Sequence, residues 1–120
     1  MPPRKRRIDE ITSLAEPHLT PEQQRHLDRG FELFDAGKYW HAHEEWEHLW
    51  LAMPDDASGD AEIVVRGMIQ LAAALHLRSI GRLDGAASNF RKASEKLALA
   101  PPVFMGRDME GLRRRMRDER

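Results

Sequence analysis

Residues 41–50, HAHEEWEHLW, hold three His, three Glu and two Trp in ten positions. Imidazole and carboxylate side chains are the usual ligands of divalent metals and the usual proton carriers in acid–base chemistry. Whether they can act together depends on the element that carries them. On a helix, with about 100° per residue, Tyr39, Ala42, Trp46, Leu49, Trp50 and Met53 fall on one continuous arc, which must face the core. His43 lies at the edge of that arc, with Glu47 one turn on. His41, Glu44, Glu45 and His48 fall on the opposite side. There the pairs His41–Glu45 and Glu44–His48 are expected to add only about 0.2–0.5 kcal/mol each of helix support.

The His43–Glu47 pair therefore needs a reason. Burying a carboxylate costs on the order of several kcal/mol unless it is paired. One reading is a structural polar pair beside the core. The other is two ligands of a divalent metal ion, or an acid–base pair, with His76 as third ligand and Tyr39, Trp46 and Trp50 as the pocket wall. His76 shares a helical face with Ile69, Ala72, Ala73 and Ile80, so it is expected to point inward. Gln70 and Arg66 lie on an adjacent strip and are candidates to bind a ligand or to orient Glu47.

Sharper motifs are missing. HEEWE lacks the second His of H-E-x-x-H. Glu45–His48 is one E-x-x-H unit, whereas a di-iron bundle needs two. There is no glycine-rich phosphate loop, and no serine nucleophile with a base can be assigned. The chain contains no Cys, which excludes disulfides, thiolate metal sites and thiol catalysis.

The elements that must position these residues are helices. Thr20-Pro21-Glu22-Gln23 is a helix start, with Thr20 as N-cap, Pro21 at the first helical position and Gln23 closing a capping box. This first helix carries Leu27, Phe31 and Phe34 and ends at Gly37. A second helix is expected from about Tyr39 to Met53. MPDDASGD is a turn, with Pro54 as a stop and Asp56 or Ser58 as the next cap. A third helix, about 61–80, is apolar almost all round and reads as the buried centre. GRLDG turns into a fourth helix ending near Leu99, APPVFMG breaks the pattern, and a last Arg-rich helix covers about 108–118. No stretch reads as a strand. The expected fold is all-α, a compact antiparallel bundle of four to five helices with tetratricopeptide-like hairpins. That hairpin likeness rests on a faint internal match of residues 34–49 to 78–93, which aligns Gly37 with Gly81, Tyr39 with Leu83, Ala42 with Ala86 and Trp46 with Phe90.

The 120 residues suit one domain, 20–120, behind a flexible basic leader, 1–19. Net charge is −1, but residues 1–8 and 107–120 are basic while the middle is acidic. Basic ends without interleaved aromatics are a weak nucleic-acid footprint. The most apolar run, GMIQLAAALHL, is too short to span a bilayer, and no secretory signal is apparent, so the expected location is the cytoplasm. A protein partner or a second copy of the chain stays open as a binding partner.

GKYWHAHEEWEHLW resembles the signature of DUF309, a family of small all-helical bacterial and archaeal proteins of unknown function. The family's H-x-x-x-E-x-x-W pattern is met by His43, Glu47 and Trp50. Gly37, Tyr39, IQLAAALH (69–76), GRLDGA (81–86) and PPVFMG (101–106) also fit, so the resemblance covers about residues 25–115. It implies a helical bundle of tetratricopeptide-like character, and a functional role, such as metal binding, for His43, Glu47 and Trp50. It implies no particular reaction.

Overall fold

The computed structural model describes residues 2–12, 14–53 and 57–119. Five helices carry the fold: α1 (Pro21–Asp35), α2 (Tyr39–Leu51), α3 (Glu62–Ser79), α4 (Leu83–Leu97) and α5 (Met109–Glu119). The all-α expectation holds. One feature departs from it: Val103–Phe104 (β1) and Arg107–Asp108 (β2) pair as a minimal antiparallel hairpin. Its loop residues, Met105 and Gly106, both have positive φ, as a two-residue primed turn requires. Two-residue strands show no alternation, so period-two patterning has nothing to detect.

α1 begins as its sequence dictates. Thr20 Oγ1 accepts the Gln23 amide (3.1 Å), and Gln23 Oε1 accepts the Thr20 amide (2.8 Å). Asp56 lies outside the described residues, as do Pro54 and the side chain of Ser58. α3 is entered instead through a 3₁₀ turn, Ala57–Ala61, and its N-cap Ala61 supplies no side-chain bond.

α1 packs against α2, and α3 against α4. The α1–α2 and α3–α4 connections are the same turn, 44 positions apart. The Gly37 amide bonds to Phe34 O and the Lys38 amide to Leu33 O. Equivalently, the Gly81 amide bonds to Arg78 O and the Arg82 amide to Leu77 O. This is the Schellman closure of a helix, and it needs a left-handed residue, met by Gly37 (φ 77°) and Gly81 (φ 81°). The internal match therefore reflects a shared turn geometry.

α3 packs between α2 and α4. It buries Ile63, Val64, Val65, Met68, Leu71, Ala72, Ala74 and Leu75. Its remaining stripe is only half covered. Ile69, Ala73 and His76 are partly exposed, and Ile80 is open to solvent. His76 therefore sits on a half-open face and not in the core.

The leader packs on the helical body. Arg6 is buried, and its backbone amide donates to Glu62 Oε2 (3.1 Å), while Arg66 Nη2 donates to Arg6 O (2.6 Å). Farther along, the Glu16 carboxylate accepts the Met105 amide, and Ile11, Leu14 and Leu19 pack against the core. A buried carboxylate demands donors, and the leader supplies one; composition alone could not reveal that. The basic C-terminal helix also folds back. Arg113 Nη1 bonds to the carbonyls of Leu97 and Ala100 at the end of α4, and Arg115 donates to the Tyr39 hydroxyl.

The α1–α2 contact centres on Trp46, which is wholly buried. Its Nε1 donates to Leu27 O (3.2 Å), and its ring packs edge-on to Phe31. At Gly30 an added Cβ would lie 2.1 Å from Trp46 Nε1. Gly30→Ala should therefore lower stability by about 2 kcal/mol in urea unfolding, although alanine in an open helix would raise it by about 1 kcal/mol.

Candidate functional site

α2 has two polar flanks on either side of its core face. The flank toward α3 carries Trp40, His43, Glu47 and Trp50. His43 Nε2 lies 3.7 Å from Glu47 Oε2; the His43 side chain is 17% exposed and that of Glu47 49%. So Glu47 is not the buried acid that the helical wheel suggested: the face stays open beside it. Trp40, 45% exposed, stacks on His43 (centroids 4.6 Å, planes 14° apart) and lies 5.1 Å from the His76 ring. His43 and His76 are thus brought to one place from different helices.

Two buried polar atoms lack a hydrogen-bond partner among the described residues: His43 Nδ1 and Gln70 Oε1. The contacts Trp50–Glu62 and Trp40–His76 set α2 antiparallel to α3. In that register Gln70 falls opposite the His43–Glu47 turn. Burial holds the His43 imidazole below its ordinary value of 6.5; Glu47 and Glu44 oppose the shift, and His76 adds to it. At neutral pH His43 is therefore uncharged, able to accept through one ring nitrogen and donate through the other.

Three residues expected around this site have other partners. Tyr39 lies between α1 and α5, its ring 5.5 Å from Phe34 and its hydroxyl bonded by Arg115. Trp46 is sealed in the core. Trp50 turns its indole N–H to Glu62 Oε1 (2.9 Å). That carboxylate, fully buried, also receives Arg66 Nε (2.9 Å) and Nη2 (3.1 Å). Trp50 thus ties α2 to α3 and, through Glu62, to the leader.

The other flank of α2 faces α1 and is less idle than its wheel position suggested. Glu45 is half buried, and its Oε2 lies 2.7 Å from His26 Nδ1. The His26 and His48 rings meet edge-to-face at 5.2 Å. Among the described residues, the group of three whose ligand atoms all lie within 4.8 Å of one another is His26, Glu45 and His48; His43, Glu47 and His76 do not form such a group. Sequence reasoning passed over His26 and Trp40. Trp40 sits next to Glu47 on the wheel, an exposed aromatic beside a polar strip. His26 had no signal of its own, because its partners lie across a hairpin. The outermost pair, His41–Glu44 (3.2 Å), is exposed helix surface.

Residues 27–89, running from α1 into α4 and holding both Schellman turns with His43, Glu47, Trp50 and His76, match a family described as a domain of unknown function, DUF309. The chain belongs to the DUF309 family. No curated protein and no solved structure matches it. In this DUF309 chain, His26 lies just ahead of the matched segment. No helix among the described residues is long and apolar enough to cross a membrane.

Two outcomes test these placements. Trp50→Phe keeps the ring and removes the N–H; because that bond goes to a buried carboxylate, the variant should lose about 2 kcal/mol in chemical denaturation. The second is a pH effect. Unfolded His43 takes up a proton near 6.5, while folded His43 holds out to lower pH. Its contribution is present above 6.5 and is lost as pH falls through the lower, folded value. Unfolding of the native chain and of His43→Gln, compared from pH 8 down to 5, should show the extra acid destabilisation only in the native chain.

Proposed function

We propose that this DUF309 protein binds a small cation, either a metal ion or an ammonium or guanidinium group, on the α2/α3 face around His43. The observation that carries this reading is the pair His43 Nε2 and Glu47 Oε2 on a face that stays open at Glu47, with Trp40 stacked on the imidazole. Gln70 Oε1, buried and without a partner among the described residues, costs about 1–3 kcal/mol while unpaired, a cost that a ligand reaching it can relieve. Trp40 offers an aromatic face beside the carboxylate, a combination suited to a cation. His43 Nε2 and Glu47 Oε2, 3.7 Å apart, are near the separation of about 3.3 Å between two ligands on one tetrahedral ion. In this reading His43 and Glu47 hold the ligand, Gln70 and His76 complete the face, and Trp50 acts only through Glu62.

A second reading is a helical-hairpin interaction module of tetratricopeptide type, located in the cytoplasm. It draws on the duplicated turn geometry and on the exposed apolar side chains of Trp40, Ile80 and Leu83. There the His43–Glu47 pair would only brace α2.

Side-chain NMR of the labelled, untagged chain distinguishes the two. Titration with methylguanidinium, ethylammonium or Zn²⁺ should shift the Trp40 indole and His43 ring signals, and Glu47→Gln should abolish the shift. Unmoved Trp40 and His43 signals with all three probes would overturn the first reading.

A further inference from the structure

We propose a second, separate site: a divalent metal of the zinc class bound between α1 and α2 by His26, Glu45 and His48. The E-x-x-H unit Glu45–His48 lacked a counterpart in the sequence, and the fold sets His26 of the neighbouring helix beside it. His26 Nδ1 is already 2.7 Å from Glu45 Oε2, and all three ligand atoms lie within 4.8 Å of one another. The backbones beneath them are fixed. Leu27 and Trp46, the sequence neighbours of His26 and Glu45, are joined by the buried Trp46 Nε1–Leu27 O bond. Closing the set requires movement mainly of His48, whose side chain is exposed and free to turn inward.

Two imidazoles and one carboxylate form a borderline nitrogen–oxygen set. It suits Zn²⁺, Co²⁺ and related ions, and not Ca²⁺ or Mg²⁺, which take mostly oxygen ligands. Three protein ligands leave a fourth position open. On that side an open depression of about 680 Å³, lined in part by His26, His48 and Glu22, reaches solvent. With the ion on Nδ1 of His26, the ring proton resides on Nε2; Glu22 Oε1, 4.0 Å away, is beyond hydrogen-bond range, and a turn of its exposed side chain would bring it onto that proton. A carboxylate behind a metal-bound imidazole is the usual device that fixes its tautomer.

Co²⁺ is the probe, because its visible absorption reports low-coordinate nitrogen–oxygen sites. The full chain without a His tag is titrated with Co²⁺, then with Zn²⁺ as competitor, and circular dichroism checks the fold of each variant. The expected result is a Co²⁺ absorption displaced by Zn²⁺, with affinity reduced about tenfold or more in His48→Ala and His26→Ala and less in Glu22→Gln. His41→Ala, on the exposed helix surface, should bind as the native chain does. His48→Ala is the safest variant, since its side chain lies at the surface. No absorption at millimolar Co²⁺, or an absorption unchanged in His48→Ala and His26→Ala, would overturn the proposal. An absorption kept in those two variants and lost in His43→Ala would place the ion on the α2/α3 face instead, so the two readings fail independently.

Discussion

The indole of Trp46 reaches Leu27 O from inside the core, and its ring occupies the space left by Gly30. That packing sets both the separation and the rotation of α2 against α1. With rotation fixed, the heptapeptide from His43 to Leu49 distributes its side chains without freedom: Trp46 and Leu49 inward, His43 and Glu47 toward α3, Glu45 and His48 toward α1. A helix with six ionisable groups in eight residues would otherwise have several comparable orientations. One large aromatic with a polar tip removes that ambiguity, because its N–H must find an acceptor once the ring is buried.

Glu62 plays the complementary polar part. A fully buried carboxylate is costly unless every lone pair is used. Here Trp50, Arg66 and the Arg6 amide surround it. The arrangement joins α2, α3 and the leader at one point. Hydrophobic contact alone can slide, since burial does not depend on direction; a carboxylate with directed donors cannot. The bundle thus combines an apolar pin at α1–α2 with a polar knot at α2–α3.

Much of the helical frame was legible in the sequence. Thr20, Gln23, Gly37 and Gly81 are local signals whose physics acts within a few residues, and each appears as read. The core arc of α2 was also legible, because periodicity reports one-sided burial. What failed was anything requiring a neighbour. The wheel could not show that Glu45 meets His26, or that Tyr39 belongs with Arg115, because helical periodicity says which face is buried and not against what. Glu62 and Arg6 are 56 positions apart; nothing local marks a charged residue as a core residue. The resemblance groups His43, Glu47 and Trp50 but does not show their different surroundings: Trp50 bonds to Glu62, while His43 and Glu47 pair at an open edge.

The Glu62 knot also bears on the order in which this protein can become itself. Arg6 is made more than fifty residues before its partner. Until α3 exists, the leader has nowhere to dock, and until the leader docks, a carboxylate at the heart of the bundle lacks one of its donors. The segment around Arg6 must wait for residues made well after it before it finds its place. A change at Arg6 therefore reaches the centre of the bundle.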